Sequence, residues 1–137
     1  MADYLPVSAP GEIFTFLAGE AITGGMLVKA STVADNTVLR ATTDGDAVIG
    51  VAARDAASAA EVGVITRGAI HRFVAVGAIT RGDRVVADSS VAGGRVKTAA
   101  ANGGAYVQAD VNRNARSVVG IALESIADTA TGRVMVI

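Results

Sequence analysis

His71 is the sole imidazole in 137 residues, and the chain has no cysteine. A catalytic histidine needs a nucleophile or an acid beside it, and a histidine metal site needs further ligands. His71 lies in AIHRFVAV, where alternation puts Ala69, His71, Phe73 and Ala75 on one face of a strand. With no second histidine or cysteine to join it, it reads as a strand residue at the surface or in an interface.

The carboxylates offer two further chemistries, glycosidic acid–base work and calcium binding. Asp44 and Asp46 flank Gly45, and Asp83 follows Gly82. These are positions where aspartate favours local backbone bonding, and the DGD at 44–46 lacks the spaced acidic series of a calcium loop. There is no G-x-S-x-G, no G-x-x-x-x-G-K-[ST] and no G-x-G-x-x-G, so neither a nucleophile elbow nor a phosphate cradle is encoded. The expectation is a protein with no catalytic residue, no metal and no cofactor.

Positive charge is almost wholly arginine, ten against two lysines. Arginine suits planar, partly buried contacts between proteins. Arg54, Arg67, Arg72, Arg81, Arg84, Arg113 and Arg116, together with His71, are the candidate interface residues; the competing reading is charged strand edges that block sheet-to-sheet pairing. Acids and bases are interspersed along the chain and the net charge is −1. No basic block and no aromatic platform point to nucleic acid. No run of about 18 apolar residues points to a membrane, and no signal peptide precedes the first strand, so synthesis in a cytoplasm is expected.

The elements that must position these residues follow from composition. Hydrophobic residues make up 51% of the chain and aromatic residues 4%. A core of small and β-branched side chains suits pleated, half-buried surfaces. Short apolar runs lie near 13–18, 25–30, 37–42, 47–53, 61–67, 69–76, 83–87, 95–99, 105–109, 116–124 and 132–137, with turn signals such as Asp44-Gly45, Gly93-Gly94 and Asn102-Gly103-Gly104 between them. That spacing predicts an all-β barrel or sandwich of short antiparallel strands. The alanine-rich stretches DAASAAE at 55–61 and ESIADTA at 124–130 are expected as short helical segments.

The order of motifs repeats. AITGGMLV at 21–28 returns as AITRGDRVV at 78–86, and VIGVA at 48–52 as VVGIA at 118–122; each set ends in an apolar run, VGVIT at 62–66 and RVMVI at 133–137. Two related β-units are therefore expected, about 21–66 and 78–137, within one domain over 13–137. The extra length between 88 and 114 reads as an added hairpin. Residues 1–12 carry both prolines, Pro6 and Pro10, and read as an extended arm whose apolar anchors are Tyr4, Leu5 and Val7.

The string GAITRGDRV at 77–85, followed in order by a V-x-G-x-A strand, a small-residue loop and a short apolar strand, as at 48–52, 56–60 and 61–66, resembles the capsid cement, or head decoration, proteins of tailed bacteriophages. The first copy departs from the pattern at Gly25-Met26. The resemblance implies a virion structural protein on the outer capsid surface that clamps neighbouring major capsid protein subunits. It also implies a homo-oligomer, with a trimer favoured over a dimer, and an arm that engages the shell, a role that falls here on Met1 to Phe16; within that arm the expected capsid-binding residues are Tyr4, Leu5, Pro6, Val7 and Pro10. The same AIT phrase is similar to β-clip domains and to biotinyl or lipoyl hammerheads. A hammerhead needs a lysine on a hairpin turn, and neither Lys29 nor Lys97 is in such a motif. A β-clip-like ligand-binding or carrier module and a phage tail or baseplate structural protein are the alternatives.

Overall fold

The chain, in a computed structural model, is described over residues 13–43, 45–88, 95–99 and 117–137. The expected arm, the expected strand at 105–109, Asp44, Arg113 and Arg116 lie outside these residues. Among the described residues ten strands are present: β1 (Ile13–Ala18), β2 (Leu27–Ala30), β3 (Thr37–Arg40), β4 (Val48–Ala52), β5 (Glu61–Ile65), β6 (Ile70–Ala75), β7 (Arg84–Ala87), β8 (Arg95–Thr98), β9 (Val118–Ala122) and β10 (Thr131–Val136). Each falls within two residues of a stretch expected from the sequence.

The strands close into two separate five-stranded barrels, ordered β1-β3-β2-β4-β5 and β6-β8-β7-β9-β10. The two units thus share packing and no sheet. Most pairs are antiparallel, in line with the expected barrel of short antiparallel strands, and β1 with β3 and β6 with β8 run parallel. The repeat is also longer than the motifs suggest. Each unit begins at the strand before AIT, so 13–28 matches 70–85, and 48–65 matches 118–135, without a gap. β8 is the counterpart of β3, not part of an added hairpin. The added length lies between β8 and β9.

The recurring AIT now has a physical account. Ile22 and Ala56 exchange both backbone hydrogen bonds, at 2.9 and 2.8 Å, and Ile79 and Ile126 do the same at 2.8 Å each. Both isoleucines of AIT are buried. The following turn is closed by Met26 N–H on the Thr23 carbonyl and by Asp83 N–H on that of Thr80, with Gly25 and Gly82 at φ 90° and 87°. Glycine adopts that left-handed backbone without strain.

The same bonds overturn the expected helices. Neither 55–61 nor 124–130 is helical. Their backbone groups serve the Ile22 and Ile79 bridges, and Ala59 and Thr129 take φ 69° and 64°. Alanine's helix preference is a few tenths of a kcal/mol per residue over about two turns, so tertiary bonding outweighs it.

V-x-G-x-A is the closure motif. The register of β4 on β2 slips by one residue beside Gly50, and that of β9 on β7 slips beside Gly120. A Cβ at Gly50 would fall on the carbonyl oxygen of Ile65, and one at Gly120 on that of Met135. The bulge bends the strand and the bare glycine lets the neighbouring backbone come in.

Val28, Val38, Ala52, Val62 and Val64 pack inside the first barrel with Ala18, Ile22 and Ala56. Leu27, Ala41 and Val51 of the same barrel instead join Phe73, Val85, Val96, Val134 and their neighbours of the second. That shared cluster and the short 66–69 connection hold the barrels together. The connection is stitched to β10 by Gly68 N–H on the Val136 carbonyl and Val136 N–H on that of Ala69.

Gly50→Ala and Gly120→Ala are each expected to cost about 2–3 kcal/mol in chemical denaturation, because backbone and not a flexible side chain must yield. Gly45→Ala, where a Cβ meets nothing within 4 Å, is expected to stay within about 0.5 kcal/mol of the parent.

Candidate interaction surfaces

Among the described residues no group of three or more histidine and carboxylate side chains gathers as a metal site would require. The carboxylates serve local structure. Asp46 accepts from Lys29 Nζ at 2.8 Å and from the N–H groups of Thr42 and Thr43 at 2.8 and 3.0 Å. Burial opposes its charge, but these donors, led by Lys29, outweigh it and hold the carboxyl below its usual range. Glu20 behaves alike: desolvation is offset by the Arg40 N–H and Nε, both at 2.9 Å, and its pKa is lowered. Asp83 accepts from Thr80 N–H at 3.0 Å across its turn. Lys29 lies on β2 paired with Asp46, and Lys97 on β8 at 3.6 Å from Asp88; neither is on a hairpin turn. A shallow open hollow of about 360 Å³ lies beside Lys29, Leu39 and Asp46, largely apolar.

His71 lies inside the second barrel, fully buried, and not at the surface where its residue type suggested. It alternates inward with Phe73 and Ala75, and its ring stacks on Phe73 with centroids 5.7 Å apart and planes 28° from parallel. In the first barrel its place is taken by Phe14. Burial pushes the imidazole down to about 4 from 6.5.

The arginines divide. Arg54 and Arg67 are exposed and stand apart on connections, and Arg81 is held on its turn by its N–H and Nε on Ser125 Oγ at 3.2 and 3.4 Å. Arg72 shares one outer face of the second barrel with two arginines that the sequence did not single out, whereas Arg84 lies on β7, two strands away around the ring. Arg133 stands directly opposite Arg72, Arg95 opposite Val74, and Arg84 opposite Ile121, which itself faces Met135. All four arginines are exposed, and none of their side chains makes an ion pair or hydrogen bond among the described residues. Glu124, at the edge of this face, takes the backbone N–H of Arg133 at 3.0 Å. The equivalent positions of the first barrel are Thr15, Gly63, Thr37 and Leu27. None is charged.

The fold has a solved counterpart. The N base of the head fiber gp8.5 of bacteriophage phi29, known from its crystal structure, matches this chain with a TM-score of 0.60. The match covers 92% of this chain and 93% of that one, at 15% sequence identity. The likeness is therefore one of fold. No protein-family model matches the chain, and no curated protein matches it significantly in sequence. No helix among the described residues is long and apolar enough to cross a membrane.

Two outcomes follow from the buried histidine and the arginine pair. The unfolded imidazole takes up its proton near pH 6.5, while the folded one resists until about pH 4. Stability is thus full above pH 6.5 and falls as pH drops toward 4, by at most about 3 kcal/mol. Glu20 and Asp46, with lowered pKa values, release their stabilisation only below the ordinary 4.5 and 3.8, so the window from pH 6.5 to 4.5 reports His71. Denaturation across that window should show the slope in the parent and lose it in His71→Phe. Like charges facing each other across strands destabilise a sheet. Arg133→Gln is accordingly expected to gain about 0.5 kcal/mol in low salt, with the gain shrinking as salt rises.

Proposed function

We propose that this protein is a structural component of a phage virion, bound to the outer surface of the head, where it cements contacts between major capsid protein subunits. The observation that carries the reading is the fold match to a head-fiber base over nearly the whole of both chains. The motif resemblance in AIT-x-GD-x-V and V-x-G-x-A agrees with it. The role is mechanical and not enzymatic: two rigid barrels present outer faces while their motifs serve turn geometry and closure. Its partners are the major capsid protein and further copies of itself, with a trimer favoured. The arm, through Tyr4, Leu5, Pro6, Val7 and Pro10, is the segment assigned to the shell.

The fold match favours a second reading, a base that anchors a projecting fiber on the head. Gold labelling in negative stain separates the readings by place. Label spread over the head surface supports cementing, label at fiber attachment points supports a base, and label on the tail removes both.

The decisive measurement is binding to expanded, empty capsids compared with procapsids. Retention on expanded shells and absence from procapsids is expected; equal binding to neither or both refutes cementing. Deleting residues 2–10 should leave the melt of the barrels unchanged and weaken capsid binding at least about tenfold, roughly 1.4 kcal/mol. Unchanged affinity would remove the arm from the mechanism.

A further inference from the structure

The charges that alternate along the chain are sorted by the fold. Among the described residues, those of 13–66, which build the first barrel, hold five carboxylates against Lys29, Arg40 and Arg54, a net charge of −2. The described residues of 67–137, which build the second, hold seven cations against four carboxylates, a net charge of +3. Two of the first barrel's three cations are already paired, Lys29 with Asp46 and Arg40 with Glu20. Its surplus is negative and includes the exposed Asp35 and Glu61.

Those two carboxylates lie beside Leu17, at one end of an outer strip of β1 formed by Ile13, Thr15 and Leu17. Glu61 stands directly opposite Leu17 on β1, and the Leu17 N–H bonds the carbonyl of Asn36, the neighbour of Asp35. Leu17 and Ile13, on the same outer face of β1, are 44% and 62% exposed. The corresponding face of the second barrel carries Arg72, Arg133 and Arg95 around Val74, with Met135 beside Arg133 and 37% exposed. One face is largely apolar with carboxylates at one end and the other apolar with arginines. Arginine and methionine are the side chains that interfaces favour. The opposed Arg72 and Arg133 repel each other until an anionic group lies between them.

The geometry points to a second copy of this chain as the partner: the arginine face of one molecule's second barrel docks on the Leu17–Glu61 strip of another's first barrel. The contact joins unlike surfaces, so each molecule offers one donor face and one acceptor face. It deepens the self-association part of the proposed function and rests on none of its capsid part, because both surfaces belong to this chain.

Analytical ultracentrifugation of the free protein tests it without any phage head. The parent is expected to self-associate, and raising salt from about 0.05 to about 0.5 M should weaken the association at least about tenfold. Arg72→Glu with Arg133→Glu, and separately Asp35→Arg with Glu61→Arg, should each weaken it at least about tenfold with melting curves that show a folded protein. Mixed in equal amounts, the two variants should pair one to one, since each retains the face that the other has lost. If a charge reversal does not fold, Arg72→Gln with Arg133→Gln takes its place and should weaken association about threefold or more. A parent that stays monomeric at every concentration in low salt overturns the proposal. So do folded variants that assemble like the parent, or that fail to pair when mixed. Heparin is the control for a polyanionic partner. Loss of heparin binding in Arg72→Glu with Arg133→Glu, with self-association unchanged, assigns the arginines to that chemistry and likewise overturns it.

Discussion

Each barrel depends on one close approach between backbones. At Gly50 and again at Gly120 a strand has to turn from one neighbour to the next while another strand's carbonyl oxygen presses against its α-carbon. Five strands of four to six residues can close a ring only if one of them bends sharply. The register slip supplies the bend and the missing side chain supplies the room. Any Cβ there pushes β5 or β10 outward, and with it the inward valines that fill the barrel. The AIT turn is the second fixed point, because it returns the chain to the strand that the glycine has bent.

Comparing the two units position by position separates what the fold demands from what it leaves open. The bridge isoleucines, the turn glycines, the closure glycines and the left-handed Ala59 and Thr129 occupy matching places. The outward positions have diverged. Thr15, Gly63, Thr37 and Leu27 in one barrel stand where Arg72, Arg133, Arg95 and Arg84 stand in the other. Leu27 with Val51 is buried within the shared cluster, whereas Arg84 with Ile121 remains open. A duplicated frame has thus acquired two different exteriors, and one of them is spent on joining the halves.

Much of this frame was legible in the residues. Period-two runs bounded by glycine and aspartate marked the strands, and the recurring motif order marked the two units. Where the reading failed, long-range pairing had overridden local preference. The 55–61 and 124–130 stretches look helical because alanine favours helix, yet Ala56 and Ile126 are claimed by partners more than thirty residues away. Alternation did place His71 with Phe73 and Ala75, but its polar type outweighed its position. Arg95 and Arg133 stood unnoticed because a shared face is a property of register. No local pattern tells that residue 133 will stand opposite residue 72. The charge sorting escaped for the same reason, since it exists only once the chain is divided by barrel.

The way the halves are joined has a consequence for the order of assembly during synthesis. All five strands of the first barrel precede residue 66, so it can close while the chain is still being extended. β10, which completes the second barrel and pins the connection through Gly68 and Ala69, comes last of the ten strands. Until then Leu27, Ala41 and Val51 lack the neighbours that bury them in the finished molecule. The nascent protein therefore passes through a stage with one finished half and a bare greasy flank, the kind of surface that sticks to other unfinished chains. Wherever many copies are made at once that hazard arises at every ribosome, and the speed with which the second half forms sets how long it lasts.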